Sequence, residues 1–455
     1  MASLPLLTIL EQAQVSPPPA TLVEKSLSLT FFDFFFLSQP PLHELFLYEL
    51  PIDENHFVET IIPSLKNSLS ITLQHFYPFA GNIIIFPNNE KKPEIRYVEG
   101  DFVKVTFAKS NPDFNDLVGN HPRDCDQFYD LIPALGESVK TSEFRKIPLF
   151  SVQVTLFPQK GVSIGMTNHH SLADASTLFC LLNAWTSISR SSTDESFLTN
   201  GTKPCYDRVI NNPKLDQSSL EFSKVDTLYE TYQPISLSKT SNRLRGTFIL
   251  TRKTLNELKK RVLTEQPTLS YVSSFTVACG YIWSCIAKSR NDDIHLFGFA
   301  IDCKARLDPP VPSNYFGNCV EGCLVRTKTS VLKRNNGFVM ATKLIGESLH
   351  NKLTEKGEIV KGVEAYKDTS NLGMPTCFIG VAGTPKLKYY ETDFGWGKPK
   401  KFETISIDYD TSISMNACKE LEDDLEIGVC LKNTEMESFV RLFEEGLESY
   451  VYSRA

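Results

Sequence analysis

The sequence lacks features that mark several classes of protein. It has no basic excess, because 47 Lys and Arg stand against 54 Asp and Glu and leave a formal net charge of −7, which argues against a generic nucleic-acid binder. It has no apolar run close to the roughly 20 residues that span a bilayer, since Asp33 interrupts the longest aromatic stretch. Residues 1–20 have no basic start and no small-residue cleavage site. We therefore expect a cytoplasmic protein with no membrane or nucleic-acid partner.

The cysteines lack a pattern as well. There are eleven, and none forms a C-x-x-C pair or joins a histidine cluster at zinc-site spacing. An odd number scattered over a long chain predicts reduced, mostly packed thiols. We expect no metal site.

What the sequence does contain is enough material for a large core. Its 455 residues are 41% hydrophobic and 22% charged, and the chain is about three times the size of an ordinary domain. Apolar residues at helical spacing predict helices over 56–76 and 174–189. Between them, β-branched and aromatic segments predict short strands, which end in a hairpin of 149–157 and 162–167.

The second half repeats this alternation of helices and strands. The patterns predict strands over 244–251, 294–301, 377–381 and 405–413, and helices over 255–263, 273–288, 337–352 and 434–448. Residues 196–240 are rich in Ser, Thr, Asn and Pro with little periodicity, so we place a crossing linker there. The predicted domains are residues 1–195 and 241–455.

The segment with the most chemical content follows the predicted hairpin. It places His170 at a strand end and Asp174 four residues later, at the start of a helix. A histidine in a cleft can take a proton near neutral pH, and a nearby carboxylate can fix its loop or tautomer. A His-His pair at a strand end also occurs as polar surface or as a satisfied core group, so the spacing alone leaves a structural role open.

Two further segments give the chain a family resemblance. D-F-G-W-G occupies residues 393–397, and Y-F-G-N-C occupies residues 315–319. H-x-x-x-D and D-F-G-W-G, in this order and separation, resemble the plant BAHD family of acyl-CoA-dependent acyltransferases over almost the entire chain. The segment 315–319 and its flanks are similar to the branch that acylates the sugars of anthocyanins and other flavonoid glycosides, best known for malonyl transfer.

The resemblance implies an α/β fold of two similar mixed-sheet domains, chloramphenicol acetyltransferase-like, with a channel between them. It implies an acyltransferase of groups other than amino-acyl groups, monomeric, with no permanently bound cofactor. Its co-substrates would be an acyl-CoA, malonyl-CoA favoured, and a phenolic glycoside. His170 would remove the proton from the sugar hydroxyl as its oxygen attacks the thioester carbonyl, without an acyl-enzyme.

The resemblance also gives structural roles to several residues. Asp174 would point away from the substrate and pair with a basic side chain of the segment 302–306. Members of the family commonly have Arg at both basic positions there, and Lys304 cannot supply the planar bidentate fork. Either Arg306 takes the role, therefore, or the clamp is looser. The D-F-G-W-G residues would be scaffold: Asp393, Gly395, Trp396 and Gly397.

Coenzyme A contacts are implied at three places in the second half. The candidate residues are Lys259, Ser273, Ser274, Tyr315 and Asn318. A solvated helix face explains the lysine equally well, and helix capping explains the serines. Thr384 would donate a hydrogen bond to the oxyanion or contact the substrate.

The identity of the acyl donor depends on Leu178. Many similar flavonoid malonyltransferases have Arg at this position, and a malonyl carboxylate needs a cation or several donors to replace its lost hydration. Leu178 cannot neutralise it. An alternative is therefore a hydroxycinnamoyl- or acetyl-CoA transferase that acts on another phenolic or alcohol acceptor.

Two remote alternatives come from other classes of protein. Residues 161–165 match G-x-S-x-G, the serine hydrolase elbow, but that elbow needs a turn at the serine, and Ser163 lies within a predicted strand. The other is a non-catalytic binding protein with the same fold, against which the intact His170 and Asp174 argue.

Overall fold

The structure, a computed structural model, describes residues 7–210, 212–237, 242–269, 272–354, 375–421 and 423–452. Residues 211 and 238–240 of the predicted linker lie outside this described part. We call residues 7–195 the N-terminal half and residues 242–452 the C-terminal half. Strands and helices alternate in both halves, which confirms the predicted α/β class. All eleven cysteines are free and most are buried, as expected.

The strands are numbered in chain order. Those of the N-terminal half are β1 (Leu7–Val15), β2 (Lys25–Ser28), β3 (Leu42–Glu49), β4 (Asn82–Ile85), β5 (Glu94–Tyr97), β6 (Val103–Ser110), β7 (Arg123–Asp124), β8 (Val139–Lys140), β9 (Arg145–Pro148), β10 (Phe150–Phe157) and β11 (Gly161–Asn168). Those of the C-terminal half are β12 (Arg243–Leu250), β13 (Ile294–Asp302), β14 (Val320–Lys328), β15 (Cys377–Ala382), β16 (Lys401–Thr404), β17 (Ile413–Ala417) and β18 (Leu425–Lys432).

The helices are numbered in the same way. The first nine are α1 (Phe31–Phe34), α2 (Glu54–His56), α3 (Ile62–His75), α4 (Phe114–Leu117), α5 (Asp126–Tyr129), α6 (Ala175–Ser191), α7 (Glu195–Asn200), α8 (Pro213–Ser223) and α9 (Val225–Thr231). They are followed by α10 (Arg252–Glu265), α11 (Ser274–Ser289), α12 (Thr329–Leu332), α13 (Gly337–Thr354) and α14 (Asn433–Leu447). None of the described helices is long and apolar enough to cross a membrane.

Each half is built on a mixed sheet. In the described part of the chain, the N-terminal sheet has the order β1-β6-β10-β11-β3-β16, and the C-terminal sheet has the order β14-β13-β15-β17-β18-β12-β7. A smaller sheet, β2-β5-β4-β9-β8, packs in the N-terminal half. The predicted hairpin is present as β10 and β11, which pair antiparallel. Each half has its own large apolar cluster.

The two halves exchange edge strands. Strand β16, from the C-terminal half, pairs antiparallel with β3 and so completes the N-terminal sheet. Strand β7, from the N-terminal half, pairs with β12 at the edge of the C-terminal sheet. The boundaries 1–195, 196–240 and 241–455 remain a prediction. Residues 196–240 contain helices α8 and α9 and all of α7 except its first residue, Glu195.

The first predicted helix begins earlier than expected and contains a proline. The side chain of Asp53 accepts a hydrogen bond from His56 N and caps α2. A π-helical turn, Phe57–Ile61, joins α2 to α3, which has Pro63 in its first turn. Because proline has no N–H and its ring crowds the carbonyl four residues earlier, a locally wider turn is a common adjustment.

The strand predicted over 405–413 is wrong. Residues 405–409 form a 3₁₀ helix, and β17 begins only at Ile413. Apolar residues at alternate positions, Ile405 and Ile407, are typical of a strand. Here both side chains are buried within the 3₁₀ helix. The chain has to turn here because it leaves the N-terminal sheet after β16 and enters the C-terminal sheet at β17.

Candidate active site

The loop that carries the predicted site joins β11 to α6. Asp174 is the N-cap of α6, and its Oδ1 accepts a hydrogen bond from Thr177 N at 2.9 Å. An Asp N-cap satisfies one of the free N–H groups in the first turn of a helix. His170 lies two residues after the end of β11, so the strand and the capped helix fix both ends of its loop.

His170 borders a large cavity. Its ring stacks on Phe36 at a centroid distance of 3.7 Å and an interplanar angle of 6°. Its Nδ1 is buried and has no hydrogen-bond partner among the described residues. Burial lowers the pKa of His170 to about 4, although its own backbone and Asp174 act in the opposite direction. The imidazole is therefore neutral at neutral pH and able to accept a proton.

The other histidine of the pair, His169, is held by hydrogen bonds inside the protein. Burial lowers the pKa of His169 to about 3, and the neighbouring His170 adds to the effect. Its Nδ1 accepts a hydrogen bond from Ser171 N at 3.3 Å, and its main-chain N–H donates to Leu149 O at 2.8 Å. His169 does not line the cavity, so only His170 of the pair can meet a ligand there.

Asn318 holds the His170 loop and does not face the cavity. Its Nδ2 donates to the carbonyl of His170 at 3.0 Å and to Asp33 Oδ1 at 3.1 Å. The hydroxyl of Ser171 donates to the main-chain oxygen of Asp33 at 2.9 Å. Asn318 is fully buried. Its Nδ2 is bonded inside the protein and the residue is not part of the cavity wall, so the coenzyme A contact at Asn318 stays a prediction without support from this geometry.

The coenzyme A contact at Tyr315 also stays a prediction without support from this geometry. Its side chain is buried, and its hydroxyl accepts a hydrogen bond from Arg208 Nη1 at 2.6 Å. The Arg208 guanidinium also lies over the Tyr315 ring, 5.2 Å from its centroid. The residue is not part of the cavity wall.

Asp174 forms its ion pair with Lys304. Lys304 Nζ lies 2.6 Å from Asp174 Oδ2 and 2.7 Å from Ser176 Oγ. The hydroxyl of Ser176 in turn donates to Asp174 Oδ1 at 2.7 Å. Arg306 does not take the role left open for it. Its Nη1 donates to the main-chain oxygen of Asp302 at 2.7 Å, on the exposed side of a 3₁₀ turn.

The cavity has a volume of about 840 Å³ and is lined by both halves of the protein. Its wall contains His170, Asp174 and Leu178 from the N-terminal half, together with Ser273 and Thr384 from the C-terminal half. An imidazole and a helix-capping carboxylate thus border a space large enough for a small-molecule site.

The remaining predicted contacts divide between the cavity and other regions. Ser273 caps α11 by accepting a hydrogen bond from Thr276 N at 3.2 Å, and it also lines the cavity. Ser274 begins α11, and Lys259 lies half-buried on α10, but neither belongs to the cavity wall. Thr384 follows β15 and faces the cavity.

The D-F-G-W-G segment forms a turn away from the cavity. Asp393 Oδ1 accepts hydrogen bonds from Gly395 N at 2.7 Å and from Gly397 N at 2.9 Å. Both glycines have a positive φ, 99° and 88°, which suits glycine better than other residues. Trp396 packs edge-on against Tyr48 at 5.5 Å. The contacts of this turn are consistent with the structural role implied for it.

Sequence reasoning missed two buried polar residues on β3, His43 and Glu44, of which Glu44 lines the cavity. His43 is buried between Thr167 Oγ1 at 2.8 Å and Tyr409 Oη at 2.7 Å. Burial lowers its pKa to about 3. Glu44 lines the cavity, and burial raises its pKa to about 8, although a hydrogen bond from Tyr389 acts in the opposite direction. The sequence signal that could have found them was a pair of adjacent ionisable residues near the start of a segment that is otherwise mostly apolar.

The serine of G-x-S-x-G has no catalytic surroundings. Ser163 lies in the middle of β11, paired with Thr155 on one side and Leu47 on the other. Its hydroxyl is buried without a partner among the described residues, and it is not on the cavity wall. A nucleophile elbow requires a turn at the serine, so the hydrolase alternative fails on geometry.

Comparisons with known proteins agree with this architecture. The sequence profile of the Transferase family matches residues 6–446. A malonyl-coenzyme A:anthocyanin 3-O-glucoside-6''-O-malonyltransferase from Dahlia pinnata is 50% identical over 100% of both chains. Phenolic glucoside malonyltransferase 1 from Nicotiana tabacum is 40% identical over 90% of this chain and 91% of its own. The crystal structure of vinorine synthase superposes with a TM-score of 0.69 at 20% identity, covering 96% of this chain and 98% of the other. That likeness confirms the predicted fold class.

Proposed function

The chain belongs to the Transferase family, the plant BAHD acyl-CoA-dependent acyltransferases, and from that premise we propose that it moves a malonyl group from malonyl-CoA to a sugar hydroxyl of an anthocyanin or related flavonoid glucoside. It is an acyltransferase, and its co-substrate is an acyl-CoA. The 50% identity to the Dahlia pinnata anthocyanin malonyltransferase over the full length of both chains supports the substrates. The cytoplasmic location and the monomeric state stay predictions from the sequence.

The observation that carries the proposal is the neutral imidazole of His170 on the cavity wall. The sugar hydroxyl gives its proton to this imidazole while the hydroxyl oxygen attacks the thioester carbonyl. Burial keeps the ring unprotonated before the substrates bind, and the negative charge that develops on the intermediate then favours the imidazolium. General-base catalysis of this kind contributes about 10²- to 10⁴-fold in rate.

The tetrahedral oxyanion requires a hydrogen-bond donor. Thr384 is our candidate because it lines the same cavity as His170 and carries a hydroxyl. The oxyanion then collapses, the carbon–sulfur bond breaks, and the imidazolium returns its proton to the CoA thiolate. No acyl-enzyme forms, which agrees with the buried position of Ser163 inside a strand.

In this proposal Asp174 affects catalysis indirectly, through the geometry of the loop that carries His170. Its carboxylate is occupied by Thr177 N, Ser176 Oγ and Lys304 Nζ, all within 2.9 Å. The bonds to Ser176 and Thr177 cap α6, the bond to Lys304 ties the start of α6 to the C-terminal half, and together they set the position of the His170 loop. Asp174 is therefore a positioning residue in this proposal.

A neutral acyl donor is the second candidate, and Leu178 favours it. The side chain lines the cavity and is almost fully buried, so it offers no charge to a malonyl carboxylate. A hydroxycinnamoyl or acetyl group would not need one. The acceptor would then be a phenolic glucoside or another alcohol.

For coenzyme A, Ser273 is the candidate contact that retains support, because it lines the cavity at the start of α11. Lys259 and Ser274 stay candidates for the outer part of the cofactor, beyond the cavity wall. A few local cations are enough for one such ligand, so the net charge of −7 is compatible with it.

The test offers malonyl-, acetyl- and coumaroyl-CoA separately with flavonoid glucosides and identifies the products by mass. We expect a mass increase of one malonyl group, released by mild alkali as expected for a sugar ester. Transfer of coumaroyl or acetyl alone would favour the second candidate. Absence of any transfer by the folded protein would support the non-catalytic alternative.

A further inference from the structure

The ring of Phe36 lies flat on the ring of His170. Their centroids are 3.7 Å apart, and their planes are inclined by only 6°. Both side chains line the cavity, and Phe36 is half-buried there. Phe36 also packs edge to face with Phe35 at a centroid distance of 5.0 Å, so a second ring helps to fix its plane. The proposed reaction gives Phe36 no role.

Hydrogen bonds hold the two stacked rings in place relative to each other. The main-chain oxygen of Asp33 accepts a hydrogen bond from Phe36 N at 3.1 Å and another from Ser171 Oγ at 2.9 Å. Asn318 adds a second link, because its Nδ2 donates to Asp33 Oδ1 at 3.1 Å and to His170 O at 3.0 Å. The turn after α1 and the loop after β11 therefore build the stack together.

The ionisable groups on the His170 loop do not pair with a protonated His170. Its Nδ1 is buried and has no hydrogen-bond partner among the described residues. Asp174 favours the charged ring, but its carboxylate is engaged by Lys304 Nζ at 2.6 Å. His169 is neutral, because burial lowers its pKa to about 3.

Two further acids lie on the neighbouring segments, and neither pairs with the His170 ring in the described part of the chain. The Asp33 carboxylate accepts hydrogen bonds from Asn318 and lies 3.8 Å from Arg208. Glu44, on the same cavity wall, is protonated at neutral pH because burial raises its pKa to about 8. The positive charge that His170 gains during transfer therefore lies against the negatively polarised face of the Phe36 ring.

We propose that Phe36 stabilises the imidazolium of His170 through a cation–π contact as the sugar hydroxyl gives up its proton, and that it thus acts through His170 as a positioning residue. The inference rests on general-base catalysis by His170, which is part of the proposed function. The face of an aromatic ring attracts a cation within about 6 Å of its centroid, and the 3.7 Å stack meets this condition. The attraction is stronger for the imidazolium than for the neutral imidazole, so it favours the transition state over the ground state and raises kcat.

The first test weakens the negative face of Phe36 and leaves its shape almost unchanged. Phe36 is replaced by mono-, di- and trifluorophenylalanine, and kcat is measured with malonyl-CoA and a flavonoid glucoside. We expect kcat to fall with each fluorine, by about three- to thirty-fold over the series, with little change in either KM. The same series at Phe378, a cavity-wall residue on β15, is the matched control and should leave kcat unchanged. A kcat that does not respond at Phe36 would overturn the proposal.

The pH profile of the same series separates an effect on charge from an effect on packing. The acid limb of kcat/KM reports the base of the free enzyme, and it should move to lower pH with each fluorine because the imidazolium is less stable. Water admitted by a loosened ring would move the limb to higher pH, toward the ordinary histidine pKa of about 6.5. Glu44 affects the alkaline side and is common to all the variants. A limb that stays in place or moves to higher pH contradicts the proposal.

Ordinary substitutions provide an independent check. Phe36→Leu keeps an apolar side chain but has no aromatic face, so kcat should fall by the same about three- to thirty-fold. Phe36→Tyr keeps the aromatic face and should retain kcat close to the wild-type value. Melting curves show that both variants are folded. Equal losses of kcat in the two variants would count against the proposal.

The remaining outcomes identify the competing explanations. A raised KM for the glucoside, with kcat unchanged in the fluorinated series, would place Phe36 at the acceptor and overturn the inference. If wild-type enzyme transfers no acyl group, or if His170→Ala keeps full turnover, the proposed function itself fails. Loss of turnover in His170→Ala, with no response to fluorination of Phe36, would mean that this inference alone is wrong.

Discussion

Lys304 Nζ lies 2.6 Å from Asp174 Oδ2, and this buried ion pair joins the two halves of the protein four residues after His170. Both side chains are about 95% buried. The pKa of Lys304 is raised: burial acts against its charge, but the Asp174 carboxylate outweighs burial. Lysine therefore performs here the role that the family resemblance gave to arginine.

Breaking this pair should damage stability and activity together. Removing one partner of a buried ion pair leaves the other charge uncompensated, which costs about 3–5 kcal/mol. Lys304→Met and Asp174→Asn should each lower the free energy of unfolding by that order, and transfer activity should fall with it. Urea denaturation and kcat/KM, measured on the same samples, provide the test.

A double variant isolates the interaction. Once one partner is gone, loss of the second should cost much less, so the two effects are strongly non-additive. Normal unfolding of Asp174→Asn with activity lost would instead mean that Asp174 takes part directly in the chemistry.

The sequence narrowed the partner of Asp174 to two residues and could not choose between them. Lys304 and Arg306 are two positions apart in a 3₁₀ turn, which has three residues per turn, so their side chains point in different directions. The direction depends on how that turn packs against α6, a long-range contact with no local signal. The same reason applies to Tyr315, whose hydroxyl bonds to Arg208, and to Asn318, whose Nδ2 bonds to the His170 loop.

Local patterns predicted elements whose signal lies within their own residues: β10 and β11 are apolar-rich strands buried along their whole length, and α6 has one buried face. The hairpin of β10 and β11 and the helix α6 were predicted within two residues at each end. The exchange of β7 and β16 between the sheets leaves no mark on the sequence, because strand pairing between distant segments is set by the whole fold. Residues 405–409 were therefore predicted as a strand and are a turn between two sheets.

Substitution of His170 should abolish most of the transfer and leave the fold intact. We expect kcat to fall about 10²- to 10⁴-fold in His170→Ala, since the general base is lost. The thermal midpoint should drop only modestly, because His170→Ala removes the stacking on Phe36 but no hydrogen bond of Nδ1 with the described residues. Turnover with malonyl- or acetyl-CoA and a melting curve are sufficient to check this.

Ser163→Ala is the matched control for His170→Ala. The hydroxyl is buried without a partner among the described residues, so its removal should be neutral or slightly stabilising. Transfer activity should be retained. If Ser163→Ala lost activity while His170→Ala stayed active, the assignment of His170 as the general base would be wrong. The serine hydrolase alternative would then be favoured.

Stability should fall as the pH drops from 6.5 toward 4. Burial lowers the pKa of four histidines, to about 3 for His43 and His169 and to about 4 for His170 and His295. In the unfolded chain they titrate near 6.5. Between these values the unfolded state binds more protons than the folded state, so acid favours unfolding. Unfolding in urea at pH 7, 6 and 5 measures the slope.

Two buried carboxyl groups oppose this trend. Burial raises the pKa of Glu44 to about 8 and also raises that of Glu426, so the folded state holds their protons more tightly than the unfolded state does. They reduce the slope without reversing it, because the histidines outnumber them. A free energy of unfolding that stays constant or rises between pH 6.5 and 5 would show that the histidines are not held neutral.

Among the carboxylates at the junction of the two halves, Glu403 should be the one whose removal destabilises the protein most. It lies on the exchanged strand β16, where Arg123 Nη2 of the N-terminal half contacts its Oε1 at 2.7 Å and Arg245 Nη2 contacts its Oε2 at 3.1 Å. Burial alone would raise the pKa of Glu403, but the two guanidinium groups lower it to about 2. The contribution of the Glu403 carboxylate to the free energy of unfolding is thus present above its ordinary pKa. It is lost as the pH falls toward 2.

Glu403→Gln leaves two buried guanidinium groups with one carboxylate fewer, so the free energy of unfolding at pH 7 should drop by about 3–5 kcal/mol. The matched control is Glu391→Gln, which breaks an ion pair with Lys398 that is more than half exposed, where exposed pairs contribute only about 0–1 kcal/mol. Urea denaturation of both variants gives the comparison. Equal losses in the two variants would mean that the exchanged strand is not held by this charge cluster, and the apolar contacts of β16 with β3 would then have to hold it. A large loss confined to Glu403→Gln ties the alignment of the halves, and with it the shape of the cavity, to these buried charges.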